Sequence, residues 1–405
     1  MKKTILISLV LAAAGPNGWA QSSVTVYGVA DAGLNYVTGL RGGSAKQLVS
    51  GIMDGSRLGF RGDEDLGGGY RAVFTLESRI ELDNGSISNR PASGTQMPDR
   101  MSTATLMGLP GSSQPAVSAV AAGIAAAGFG VNVSANPAFF DRQAFVGLVT
   151  PVGAVLAGRQ YTPAYEISAS FDTLKTQSSL AAGQVASFPP SIDLRASNAL
   201  AYRMQAAGFT ASLMYGFGET GTSSTPNRFV GVMGMYKNEL FSLGAGYNTR
   251  KNELGDKALT STVLGGSLNA GPGAASVLFG RVKDDHPAGL SAAVPAPLLP
   301  AFTDAFKQDG RLYHVGYRFD LGVNTIYVAY TQFDDKRPSN ADVSSYGMAY
   351  TYAFSKRTDV NLVLTHFDNK NLAQAAPGEA GFLGGVTESA GKDANNVALG
   401  LRHRF

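Results

Sequence analysis

From Ser23 to the last residue, Phe405, apolar side chains recur at every second position with polar or charged ones between them. A period of two belongs to strands with two unlike faces. Val24 and Val26 alternate with Thr25 and Tyr27; between residues 71 and 81, Phe74, Leu76 and Ile80 oppose Arg71, Thr75, Glu77, Arg79 and Glu81; Asn361 to Thr365 repeats the pattern. Sixteen strands can be laid out, near 23–37, 53–62, 68–83, 138–149, 153–160, 194–203, 208–216, 227–237, 240–250, 257–270, 273–283, 308–319, 322–333, 341–353, 358–369 and 392–405. No uninterrupted apolar run reaches the roughly 18 residues of a membrane helix, and mean hydropathy is +0.00, which excludes a bundle of such helices.

Alternation alone does not separate a soluble sandwich from a barrel, because both have one apolar and one wet face. The connections separate them. Short links at 63–67, 150–152, 204–207, 238–239, 271–272, 320–321 and 354–357 take turns with longer ones near 38–52, 84–137, 161–193, 217–226, 251–256, 284–307, 334–340 and 370–391. An even number of antiparallel strands, with tight turns at one rim and long loops at the other, is the plan of an outer-membrane barrel. The expected fold is therefore all-β, a 16-stranded antiparallel transmembrane β-barrel occupying residues 21–405 as one domain. Lipid offers no water to unpaired peptide groups, so closure is obligatory. The ending Val397 to Phe405 reads as the closing strand, paired with the first, and Phe405 is the candidate assembly residue.

Residues 1–20 read as a signal peptide: Lys2 and Lys3 form a basic start, Thr4 to Ala14 an apolar stretch, and Gly18 and Ala20 a small-residue cleavage site. The formal net charge is +3, of which two units leave with Lys2 and Lys3, so no polybasic surface for nucleic acid is expected. The chain has no Cys and therefore no disulfides. Its 50 Gly residues in 405 are well above average usage, and need a structural reason.

Two segments break the alternation. Ala116 to Val131, inside the long extracellular loop 84–137, is an Ala/Gly-rich apolar run expected to be a flexible or weakly helical excursion. Tyr161 to Asp193 carries Glu166, Asp172 and Asp193, and by pattern alone it can stand outside the barrel or fold inside it.

Nothing in the sequence assembles a catalytic set. His286, His314, His366 and His403 have no metal-ligand spacing, and Gly67-Gly68-Gly69 follows an acidic turn and precedes a strand instead of a helix. No enzyme activity, cofactor or metal is expected. The unusual feature is basic: if Leu58, Phe60, Phe74 and Leu76 face lipid, then Arg57, Arg61, Arg71 and Arg79 point inward with Glu77 and Glu81, and Arg142, Arg159 and Arg195 are placed likewise. A subset gathered at the narrowest point would set which ions pass.

Several stretches resemble the general diffusion porins of Gram-negative bacteria, most closely the beta-proteobacterial branch: Gln21 to Gly28, Ser56 to Gly62, Glu64 to Gly69, Leu76-Glu77, Arg142 to Leu148, Gly158 to Tyr161, Arg195 to Asn198, Leu200 to Tyr202, Ser355 to Thr358 and Gly400 to Phe405. The resemblance implies a homotrimer whose third extracellular loop, 161–193, folds into the lumen as a constriction. It implies that Arg57, Arg142 and Arg195 on the wall, with Glu77 nearby, face acidic groups across the opening. The second long loop, short in relatives and latching a neighbouring subunit there, is much longer here. The expected function is a passive, moderately anion-selective channel for small hydrophilic solutes and ions in the cell outer membrane. Its constriction would hold Arg57, Glu77, Arg142, Arg159, Arg195, Glu166, Asp172 and Asp193. Expected partners are outer-membrane lipid, lipopolysaccharide and the outer-membrane assembly machinery. For trimer contact the first strand offers Val24 and Val26, with small Ala30 and Gly33 beyond them.

Overall fold

Among the described residues seventeen strands pair antiparallel with their neighbours, and the last pairs with the first. The computed structural model describes residues 23–87, 96–126, 138–174, 192–219, 225–377 and 386–405; the signal-peptide assignment lies outside them. The strands are β1 Ser23–Leu40, β2 Gly43–Ser50, β3 Arg57–Gly67, β4 Tyr70–Arg79, β5 Gln143–Thr150, β6 Gly153–Tyr161, β7 Arg195–Ala206, β8 Phe209–Gly216, β9 Phe229–Lys237, β10 Phe241–Lys251, β11 Lys257–Ala270, β12 Gly273–Asp284, β13 Gln308–Leu321, β14 Asn324–Asp335, β15 Val343–Ala353, β16 Thr358–Asn369 and β17 Ala394–Arg404. Among the described residues four α-helices lie between them: α1 Gln114–Ala126, α2 Pro163–Phe171, α3 Leu290–Ala293 and α4 Leu299–Phe306.

Seventeen segments make sixteen staves because β2 and β3 share one. The outer half of β1 pairs with β2, from Ala32 opposite Ser50 to Leu40 opposite Gly43, and its inner half pairs with β3, from Ser23 opposite Asp63 to Val29 opposite Arg57. This corrects the expectation of a long link over 38–52. The chain turns within two residues after Leu40 and resumes as strand, and the true interruption is residues 51–56.

The period of two decides which side meets lipid. Along β17, Asn396, Ala398 and Arg402 are nearly sealed, while Val397, Leu399 and Leu401 keep 46%, 51% and 52% of their surface exposed. On the outer face such side chains enter hydrocarbon, where an Arg or Lys near the midplane costs about 2–4 kcal/mol. The same phase puts Gly33 inward with Asp31 and Asn35, so the small outward residues of β1 are Gly28, Ala30 and Ala32, not Gly33. Closure is completed by Phe405, whose N–H and C=O exchange hydrogen bonds with Gly28 at 3.2 and 3.0 Å.

Of the run expected to be a flexible or weakly helical excursion, the described part lies in helix α1, Gln114–Ala126, with Val117 and Ile124 buried; residues 127–131 of that run lie outside the described residues. Its packing partners are Met97, Met101 and Ala104 just before it and, from residues 284–307, Leu290, Val294, Phe302 and Phe306, which lie too far along the chain for local pattern to reveal them.

Candidate functional site

Thr162 adopts an extended conformation, Pro163 opens α2 with its φ already suited to a helix, and Glu166 places a carboxylate in the first turn. The helix then lies along the inner face of the wall. Ala164 N–H, one of the donors a helix start leaves unpaired, donates to Asn248 Oδ1 on β10 at 3.1 Å, and Asn248 Nδ2 donates to Thr162 Oγ1 at 2.9 Å. Four wall glycines make the room. A Cβ on Gly231, Gly244, Gly246 or Gly265 would come within 3.0 Å of Pro163, Ile167, Ala164 or Phe171. Part of the glycine excess is thus a smooth bed for the helix, over which Ala164, Ile167 and Phe171 are at most 1% exposed.

Beyond α2 the chain continues round the inner wall. Thr173 N–H donates to His314 Nε2 on β13 at 3.2 Å, so the ring carries its proton on Nδ1 and donates it to Thr331 Oγ1 at 2.8 Å. Leu174 joins a buried cluster with Val49, Ile52, Met53, Ala349, Val363 and Ala398. Ile52 and Met53 reach it because residues 51–56 fold into the lumen. The Asp31 carboxylate accepts hydrogen bonds from the N–H groups of Ile52, Met53 and Asp54 at 3.1, 3.0 and 2.8 Å, holding that inward turn. From β9 round to β17 and β2 the inner wall is therefore lined by the chain's own segments.

The remaining arc, from β1 to β7, carries the arginines. Glu77 on β4 is 4% exposed and is the shared acceptor: Tyr27 hydroxyl donates to its Oε2 at 3.0 Å, Arg142 Nε to its Oε1 at 2.7 Å, and Arg57 Nε lies 3.7 Å away. Arg142 Nη2 and Arg195 Nη2 both donate to the Tyr161 hydroxyl, at 2.9 and 3.3 Å, and the Arg195 guanidinium also sits 4.8 Å over the Tyr161 ring. Burial opposes the Arg142 charge, but Tyr161 and Glu77 outweigh it and hold that guanidinium above its ordinary pKa. Arg195 Nε is buried without a hydrogen-bond partner among the described residues. Arg142 and Arg195 thus meet at the Tyr161 phenol and Arg142 and Arg57 at Glu77, while Arg57 Nη1 also pairs with Asp54 at 2.8 Å.

Not every expected residue joins this cluster. Arg159 donates to the Asp141 carbonyl at 2.6 Å and to Ser197 Oγ at 2.7 Å. Arg79 lies between Asp141 and Glu81, at 3.4 and 3.5 Å. Each of the loop acids has a partner of its own outside the arginine cluster. Glu166 is held by both terminal nitrogens of Arg203, Asp193 pairs with Arg250 at 2.8 Å, and buried Asp172 accepts from Leu174 N–H at 3.0 Å. Tyr27, Tyr161, Arg203, Arg250 and the 51–56 turn were not singled out from the sequence as site residues. Tyr27 and Tyr161 stood inside the stretches that carried the resemblance, whereas Arg203 and Arg250 had no signal beyond strand phase.

A closed barrel with an apolar exterior, a charged lumen and a segment of its own chain laid along the inner wall is a transmembrane channel of the outer-membrane type. The chain belongs to the Gram-negative porins, whose family model matches residues 6–372. It is 28% identical to outer membrane porin protein 32 of Delftia acidovorans over 421 aligned residues, with 100% of both chains covered. It is 26% identical to an outer membrane porin protein of Bordetella pertussis over 454 aligned residues, again with 100% of both covered. Among solved structures, an anion-selective porin from Comamonas acidovorans superposes with a TM-score of 0.68 at 25% identity, covering 95% of this chain and 100% of that one. The protein is an outer-membrane porin, crossing the membrane many times with its strands and forming a water-filled channel for small hydrophilic solutes and ions.

Proposed function

We propose that the pore is moderately anion-selective, with Arg57, Arg142 and Arg195 as its selective side and loop 161–193 as the opposing lip. The observation that carries this reading is the pairing of Glu166 with Arg203 and of Asp193 with Arg250, which leaves Arg57, Arg142 and Arg195 answered by two carboxylates, Glu77 and, at Arg57, Asp54. Two neutralised loop acids cannot offset three guanidiniums across a lumen. Low-dielectric walls focus such a surplus into potentials of several kT, which raise the local anion concentration. The solved relative described as anion-selective supports the same direction. Passage is passive diffusion, with no catalytic step. The reading includes a homotrimer, since a contact between two different patches of the outer face closes into a ring of copies, with insertion by the outer-membrane assembly machinery among lipid and lipopolysaccharide.

Two charge reversals test it. Arg142→Glu shifts the reversal potential in a salt gradient toward cations, whereas Lys370→Glu, on an exposed side chain of the outer loop 370–391, leaves it in place. Equal shifts from both variants would overturn the local arginine account.

A further inference from the structure

Outside the lumen the structure holds a second, separate core. Met101, Val117 and Ile124 of loop 84–137 pack with Leu290, Phe302 and Phe306 of loop 284–307, each at most 1% exposed. The two loops that share this core leave the barrel at opposite points. The first joins β4 to β5 and the second joins β12 to β13, eight staves apart in a ring of sixteen.

The cluster is also tied down along the rim between them. Arg41, in the β1–β2 turn, pairs with Asp99 at 2.5 Å and donates to the Met97 carbonyl at 3.3 Å. Asp99 N–H donates to Gln374 Oε1 of the β16–β17 loop at 2.6 Å. Arg337, after β14, donates to the carbonyls of Ala305 and Lys307. Glu253, in the β10–β11 turn, accepts from Gly289 N–H at 2.8 Å and from Ser291 Oγ at 2.5 Å. All these anchors fall on the arc running from β10 through β17 to β4.

We propose that this helical cap is an outer size filter, roofing the mouth over that arc and narrowing the way in for solutes. The inner arginines would then sort by charge what the cap has already sorted by size. Two observations carry it. A core shared by diametrically opposite loops has to bridge the mouth or skirt half its rim, and the side-chain anchors fix which half. Sealed Phe, Met and Leu side chains make it a packed body, not a set of independent loops.

The test uses purified porin in planar bilayers and graded neutral polyethylene glycols that enter the pore and lower its conductance. One variant replaces residues 96–126 by a short Gly-Ser linker; another is Phe302→Asp, which places a charge in the cap's core while leaving every strand intact. The expected result is a higher conductance and a larger polymer cutoff, each by a factor of about 1.5 or more, with the reversal potential unchanged because the arginine cluster is untouched. An unchanged cutoff in the deletion overturns the proposal. If the deletion fails to assemble, an unchanged cutoff in Phe302→Asp overturns it instead. A shifted reversal potential at constant cutoff also overturns it, since the cap would then act on charge. Anion selectivity of the wild type is read in the same recordings, so failure of that reading is distinguishable from failure of this one.

Discussion

Glu166, in the first turn of the inner helix, is clasped by Arg203 of β7 through two hydrogen bonds of 2.9 and 2.7 Å, one to each carboxylate oxygen. A forked guanidinium–carboxylate pair fixes geometry as well as charge, so this contact both seats the helix and removes its acid from the lumen's balance. Arg203→Gln therefore has a defined sign. Freed Glu166 adds a negative charge to the pore, and the reversal potential moves toward cations, by less than in Arg142→Glu because only one charge changes instead of two. A reversal potential unchanged in Arg203→Gln would show that the pair plays no part in selectivity.

The glycine bed yields a structural prediction. Gly265→Leu drives a side chain into the Phe171 ring, and overpacking of that kind costs about 1–3 kcal/mol. The helix is displaced, so open-channel current noise rises and the temperature at which the folded form is lost on a gel falls. Gly234→Leu is the control, because a side chain there meets open space on the outer face. Equal noise in both variants would mean that the helix does not depend on the close approach.

How much of this was legible in the sequence follows from the range of each interaction. Strands such as β16 and β17 are readable because lipid on one side and water on the other write a period of two into consecutive residues. The stave holding β2 and β3 was misread, with 43–50 placed in a loop and 53–56 in a strand, because only the Asp31 carboxylate, far back in the chain, shows that 51–56 is an inward fold. Arg57, Glu77, Arg142 and Arg195 were placed by strand phase and by resemblance. Their common acceptors were not, since phase says which face a residue occupies and nothing about its neighbour across the lumen. The Glu166–Arg203 and Asp193–Arg250 pairs were invisible for the same reason, and they change the charge balance most.

His314 links the loop to proton concentration. Its Nε2 accepts the Thr173 N–H, and an imidazole protonated on both nitrogens has no acceptor left. Acidification therefore removes the acceptor of the Thr173 N–H and leaves the ring only the Thr173 hydroxyl, 2.9 Å from Nε2, to donate to, which loosens the chain where it leaves α2. Current noise should rise on acidification in the wild type, while His314→Gln, which keeps an acceptor without titrating, stays quiet over the same range. Identical acid responses in the two proteins would remove His314 from the loop's anchorage.

Phe405 exchanges two backbone hydrogen bonds with Gly28 and lays its ring against it, whereas Phe354, an exposed aromatic at the same rim, makes no such closing contact. Phe405→Ala is expected to lower the yield of folded barrel in outer membranes several-fold, and Phe354→Ala to leave it near wild type. Extraction from membranes and heat-modifiable mobility measure both. Equal yields would show that the terminal ring has no part in assembly.

The central claim is that the arginine side of the lumen governs which ion passes. It is tested most directly by the zero-current potential of the wild-type channel across a potassium chloride gradient, repeated as ionic strength is raised. The account predicts a potential of the sign set by chloride, decaying toward zero at high salt as the guanidinium charges are screened. A potential of the potassium sign at low salt would contradict it and assign control of the pore to its acids.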